Sequence, residues 1–170
     1  MANRVEDILN ATERRVREAG YNGFSFRDIA GDVGITSASV HHHFPTKAAL
    51  GAAVARRYTD RFLSHVEGTK DDRIVAAWRE AFRRSLREDG RMCLCGVLGA
   101  EAGALPPEVI VEAKRFFEQG VERLGAADGG SGKAARDRGL RILATLEGAM
   151  LIARALGDPA AFDRATADLR

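Results

Sequence analysis

Residues 24–50, FSFRDIAGDVGITSASVHHHFPTKAAL, decide the fold. The stretch reads as two short helices joined by a tight turn and followed at once by the start of a third. Ser25 caps the first, with Asp28 three residues on completing a short capping box. Phe26, Ile29, Ala30 and Val33 recur at helical spacing and are expected to face inward. Gly34 stops that helix, because glycine takes the left-handed geometry of a helix end without steric cost. Thr36 or Ser37 caps the next helix, which runs through Val40 to about His43. Pro45 ends it, since the residue before a proline is pushed away from helical geometry. Thr46 caps a third helix, with Lys47 in its first turn.

Helix, glycine-bearing turn, helix is the helix-turn-helix pattern. The second helix is too short and polar for a core element. Ser37, Ala38, Ser39, His41 and His42 offer small or hydrogen-bonding side chains that suit a major groove, while Val40 and Phe44 anchor it from behind. On spacing alone a purely structural helical corner stays open.

From Ile8 to Leu50 the chain resembles the N-terminal domain of the TetR/AcrR family of transcriptional regulators. The resemblance rests on Ile8 to Ala11, Gly20, Tyr21, Phe24, Ser25, Ile29, Ala30, Val33, Gly34 and Ile35. It continues through Ser39-Val40-His41-His42-His43-Phe44-Pro45-Thr46-Lys47 and Leu50. Two departures lie on the reading helix: His41 stands where the family commonly has tyrosine, and Ala38 where glycine is frequent. They bear on which operator is read. The resemblance implies a DNA-binding regulator, most often a repressor, relieved by a small molecule. It also implies a contact set of Arg27, Thr36, Ser37, Ser39, His41, His42 and Lys47, with Lys47 on a phosphate and His43 packing or capping locally.

The remaining composition agrees with an all-α protein of one or two small domains. The chain has 170 residues, 45% hydrophobic and 29% charged, with only 6% aromatic and no alternating strand pattern. A net charge of +2 is too small to argue nucleic-acid binding, so any basic surface must come from local placement. No apolar run has membrane-spanning length and no signal peptide is expected; a membrane partner is not anticipated. Two cysteines, Cys93 and Cys95, are too few for a disulfide framework and point to the cytoplasm.

About nine helices are expected: an N-terminal three-helix helix-turn-helix domain over 1–47, and a helical ligand-binding and dimerisation domain over 48–170. In the first helix, about Asn3 to Ala19, Val5, Ile8, Leu9, Thr12, Val16 and Ala19 form the stripe, with Arg4, Arg14, Arg15 and Arg17 outside it. The fourth runs from Thr46 to about Val66, ended by Gly68. The fifth, about Asp71 to Glu88, is capped by Asp71 or Asp72 and broken at Asp89-Gly90; Arg79, Arg83, Arg84 and Arg87 read as a solvated face. The sixth, Met92 to about Ala102, is apolar nearly all round and reads as buried. Pro106-Pro107 starts the seventh. A glycine-rich connection, 125–132, leads to the long helix Lys133 to Leu156, and a short one through Phe162, Ala165 and Leu169 closes the chain.

A ligand lining of Tyr58, Phe62, Trp78, Phe82, Met92, Cys93 and Phe116 would suit something apolar or aromatic, and the same residues can simply be core. A homodimer is expected because Phe116, Phe117, Val121 and Leu124 on one helix and Ile142, Leu146, Ala149 and Ala153 on another exceed what one small bundle needs. The identity of the small-molecule effector is not legible. No metal site is expected at His41-His42-His43, since consecutive helical residues project about 100° apart. Cys93-Leu94-Cys95 is not a zinc pattern. It reads as two core thiols or, in a sharper form, as a thiol sensor. No catalytic motif and no cofactor loop is found, and Glu101 reads as a pocket contact, a cap or a solvated side chain. The alternative function is a helical small-molecule- or metal-binding protein with no DNA role.

Overall fold

The computed structural model describes residues 4–67, 69, 73–88, 90–127 and 129–169. Those residues form nine α-helices and no strand. The helices are α1 (Arg4–Ala19), α2 (Phe26–Val33), α3 (Ser37–His43), α4 (Lys47–Val66), α5 (Ile74–Glu88), α6 (Leu94–Ala100), α7 (Pro107–Gly125), α8 (Gly132–Leu156) and α9 (Pro159–Ala165). The expected helix start at Asn3, the stops at Gly68 and Asp89, and the caps at Asp71 and Asp72 lie outside the described residues. No described helix is long and apolar enough to cross a membrane.

The chain divides into two compact units, one of residues 1–61 with 94–114 and the other of 62–93 with 115–170. In the first, Ile8, Ile29, Val40, Leu50 and Leu94 are fully enclosed. Each such side chain contributes about 1.5–3 kcal/mol of burial. α1 departs from the sequence reading at two places: Ala19 is exposed and Arg17 is buried. The reason is Glu13, itself buried, whose carboxylate receives Arg57 at 3.0 Å and Arg61 at 2.7 Å from α4, with Arg17 at 3.6 Å one turn along α1. The Arg17 guanidinium also lies over the Tyr58 ring, 5.9 Å from its centroid. Ion pairs thus join α1 to α4 alongside the buried apolar stripe of Ile8, Leu9 and Val16. In α6, Leu94, Cys95 and Leu98 are buried while Gly99 and Ala100 are exposed, so only one face of that helix is core.

In the second unit an aromatic cluster forms the interior. Phe62 meets Trp78, Phe116 and Phe82 edge-on at 4.7, 5.3 and 5.8 Å between centroids. The arginines of α5 are only partly a solvated face: Arg84 and Arg87 are exposed, while Arg79 and Arg83 are half-buried. Arg79 donates to Thr166 Oγ1 at 2.8 Å, and Arg83 and Arg87 pair with Asp163 at 2.8 and 2.5 Å, gripping α9 and the turn after it. α9 starts on Asp158, whose side chain accepts the Ala160 N–H, and ends at Ala165 rather than reaching Leu169. There Thr166 turns its hydroxyl back onto the Phe162 carbonyl at 2.7 Å.

Candidate nucleic-acid interface

α2 and α3 are built as the local sequence dictates. Ser25 Oγ accepts the Asp28 N–H at 3.2 Å, and Asp28 Oδ2 accepts the Ser25 N–H at 2.9 Å. The Ser25 hydroxyl and then its N–H hold the Asp28 carboxyl below its ordinary pKa. Gly34 closes α2 at φ 72, with the Ile35 N–H on the Ala30 carbonyl at 3.0 Å. Thr36 caps α3 by accepting the Ser39 N–H at 3.1 Å, and the Thr36 and Ser39 hydroxyls bond each other at 2.9 Å. Thr46 Oγ1 accepts the Ala49 N–H at 3.0 Å as α4 begins. Val40 is fully enclosed and pins α3 to the helices behind it.

What α3 leaves outward is a short polar ridge. His41, His42 and His43 are exposed, as are Thr36 and Ala38, while Ser37 and Ser39 are half-buried. The His41 ring packs edge-on against Phe26, 4.3 Å between centroids, which fixes its direction. His43 lies beside His42 at 5.4 Å and shares an open groove of about 440 Å³ with Arg4, Ile35, Ala38, Ser39 and His42. Arg27 is exposed on the first turn of α2. Arg4 and His43 thus join the surface that the sequence reading assigned to its neighbours. A groove residue more than thirty positions away along the chain leaves no local pattern to find it by.

Two other placements were not legible. Lys47 is half-buried, its Nζ 4.7 Å from the Tyr21 ring centroid and 4.6 Å from that of Phe24, and burial lowers its pKa. Its cation is held against two aromatic faces beside the reading unit. Glu101, just past α6, accepts the Tyr21 N–H on Oε2 at 2.8 Å. Gly20 sits there at φ 78, and a Cβ on it would stand 2.0 Å from Glu101 Oε1. Only glycine fits. Arg15 clamps Asp32 through two bonds of 2.7 and 2.9 Å, and Arg14 adds a third at 3.0 Å, so these arginines tie α1 to α2.

The expected ligand lining is brought together only in part. Phe62, Trp78, Phe82 and Phe116 converge, and buried Met92 and Cys93 belong to the same unit. Tyr58 belongs to the other unit, under Arg17. Both cysteines are buried and neither is in a disulfide; Cys95 Sγ lies 3.8 Å from Thr59 Oγ1, and the Cys93 N–H donates to Met150 Sδ at 3.1 Å.

Of the expected dimer seam, Val121, Leu124, Ile142, Leu146, Ala149 and Ala153 are buried within the single chain, and Phe117 is half-buried. The 4-3-4-3 spacing marks the inward face of α8. Its outward face carries a second apolar set, in which Leu140, Leu151 and Ile152 are each more than half exposed, and Leu156 is exposed at the helix end. The exposed apolar side chains of α8 are therefore not those of the expected seam.

Residues 8–54 match the family of bacterial regulatory proteins, tetR family. Solved structures share the whole architecture. A TetR transcriptional regulator from Legionella pneumophila is 28% identical with a TM-score of 0.89, over 97% of this chain and 94% of that one. A TetR-family regulator from Agrobacterium tumefaciens is 29% identical with a TM-score of 0.89, over 96% and 94%. A transcriptional regulator from Rhodococcus sp. Rha1 is 27% identical with a TM-score of 0.74, over 95% and 90%. No curated protein matches the chain in sequence.

Proposed function

We propose that the chain is a TetR-family DNA-binding transcriptional regulator that acts as a cytoplasmic repressor released by a small molecule. In this reading residues 1–47 form the DNA-reading domain and 48–170 the regulatory and dimerisation domain. The observation that carries it is the ridge of α3, anchored by buried Val40 and directed outward through Ser37, Ser39, His41 and His42. Arg27 and these residues meet bases or phosphates, with Thr36 at the helix start and Lys47 on a phosphate. One short helix makes few base contacts, so a homodimer reads two half-sites about one duplex turn, roughly 34–36 Å, apart on a near-palindromic operator. The outward apolar face of α8, through Leu140, Leu151 and Ile152, with the small residues Ala144 and Gly148, supports the pairing of two copies. Release then requires that the effector bind the two arrangements of the dimer unequally. A thiol route through Cys93 or Cys95 would first have to open the interior, because both sulfurs are buried.

An electrophoretic shift against the DNA upstream of the protein's own gene tests the reading. Lys47→Ala should weaken binding to all sequences and lower the salt slope by about one phosphate contact, whereas changes at Ser37 or His42 should alter the preferred sequence. Leu151→Arg should yield monomer and lose operator binding together. No shift with that DNA, and no enrichment of any sequence from a random duplex pool, sinks the DNA-binding role and favours a helical small-molecule-binding protein.

A further inference from the structure

The charge of α3 is not fixed. The helix carries no lysine or arginine, and its only titratable side chains are His41, His42 and His43, three of the four histidines in the chain. All three are exposed. A histidine side chain ordinarily gains its charge near about pH 6.5, so a helix of this composition changes from neutral to cationic within the physiological range.

The three rings do not act alike, because successive helical residues project about 100° apart. His41 turns to α2, where it meets Phe26. His42 and His43 lie 5.4 Å apart and both line the open groove of about 440 Å³, to which α1 contributes Arg4. The rest of the lining is Ile35, Ala38 and Ser39, so no carboxylate borders the groove. Acidic side chains of the adjoining helices are held elsewhere: Glu6 by Arg57 at 2.6 Å, Asp28 by the Ser25 N–H at 2.9 Å and Asp32 by Arg15 at 2.7 Å. Asp7, one turn along α1 from Arg4, is half-buried and outside the lining. Of the other cations, Lys47 lies against the Tyr21 and Phe24 rings and Arg27 on α2, neither of them in the lining.

A groove bordered by a guanidinium and two imidazoles, with no carboxylate, suits an anion. A duplex laid along α3 brings a row of phosphates past its flank. A proton on an imidazole beside Arg4 meets no negative charge within the groove, and a phosphate supplies one through a charge-assisted hydrogen bond. Entry of the phosphate and uptake of the proton therefore favour each other, and by the same factor. With His42 turned to the bases, as in the proposed function, His43 is the imidazole left to the phosphate.

We infer that Arg4 and His43 together seat a backbone phosphate of the operator, and that His43 takes up a proton as the phosphate enters. The inference rests on the DNA-binding reading and deepens it, adding a phosphate contact and making operator affinity depend on pH. The complex holds more protons than its free partners, so affinity falls as pH rises through the histidine range.

The full-length protein is titrated with the operator duplex at constant ionic strength by fluorescence anisotropy. Calorimetry in buffers of different ionisation enthalpy counts the protons taken up. From pH 6 to pH 8 the wild type should lose at least about fivefold more affinity than His43→Gln, and its proton uptake should exceed that of the variant. His43→Arg carries a permanent charge; it should bind more tightly than wild type at pH 8 and lose the same pH dependence. It decides the matter alone if His43→Gln does not fold. Arg4→Gln should weaken binding at every pH and lower the salt slope by about one phosphate contact. Parallel pH profiles for wild type and His43→Gln, equal proton uptake by the two, or a pH dependence undiminished in His43→Arg would overturn the seat. Equal proton uptake with inorganic phosphate in place of the duplex would overturn it in favour of a soluble anion. Operator binding that stays intact with parallel profiles overturns the seat alone. No binding of any duplex at either pH, by protein whose circular dichroism is native, overturns the DNA-binding role with it.

Discussion

Glu13 in the N-terminal unit lies among three arginines, whereas Glu147 in the other unit lies between Leu143 and Met150 with no cation facing it. Both carboxylates are buried on helices, so burial itself does not separate them. What differs is who supplies the counter-charge. Around Glu13 the chain supplies it, and α1 and α4 are fixed to each other as a result. Around Glu147 the chain withholds it, which leaves a desolvated acceptor in an interior otherwise closed by aromatic and aliphatic side chains. The first arrangement stabilises a reading unit that must stay rigid. The second carries a desolvation cost in the folded protein.

Removing one member of the first arrangement should have the largest effect. Glu13→Gln removes the charge that buried Arg17, Arg57 and Arg61 share, leaving Arg57 with Glu6 at 2.6 Å, and should lower unfolding free energy by about 3–5 kcal/mol in chemical denaturation. A loss within error would mean that the network is solvated and the contrast with Glu147 is empty.

Glu147→Met should act in the opposite direction. Its folded carboxyl titrates at about 7 against an ordinary 4.5, so between those values the folded state holds a proton that the unfolded chain has released. Stability therefore falls as pH rises through that window and stays lowered above it, by on the order of 3 kcal/mol. The variant should gain most of that at pH 8 and little at pH 4, read as the difference between two denaturation curves. A variant less stable than wild type at pH 8 would assign Glu147 a structural partner and remove the contrast.

A third test asks how firmly the reading unit is seated. Gly20→Ala places a side chain at φ 78 against the Glu101 carboxyl, and should cost about 1–3 kcal/mol. Adding Glu101→Ala should relieve the clash but not the backbone strain, so thermal unfolding should recover only in part. The smallest effect expected is local. Ser25→Ala removes the cap of α2 and should cost about 1 kcal/mol, near 2–4 °C in Tm for a chain of this length. A drop as large as that of Glu13→Gln would show that the cap, not the ion network, dominates the unit.

The sequence by itself determined the elements whose causes lie within four residues. Ser25 with Asp28, Gly34, Thr36 with Ser39, and Thr46 with Ala49 are short-range hydrogen bonds and dihedral preferences, so the helix-turn-helix was legible before any packing was known. Periodicity likewise announced an apolar surplus on α8. It did not say which part of that surplus turns inward, because Ile142, Leu146, Ala149 and Ala153 and the outward Leu140, Leu151 and Ile152 are all apolar. Only neighbouring helices choose between two apolar faces. The same holds for Arg17, Arg79, Lys47 and Glu101. A charged side chain carries no local mark of its partner, and theirs are brought in by tertiary packing: Tyr58, Thr166, the Tyr21 and Phe24 rings, and the Tyr21 N–H. Glu147 is the limiting case. In the sequence it is one glutamate on an amphipathic helix, and the fold alone decided that its carboxylate would lose water without gaining a cation.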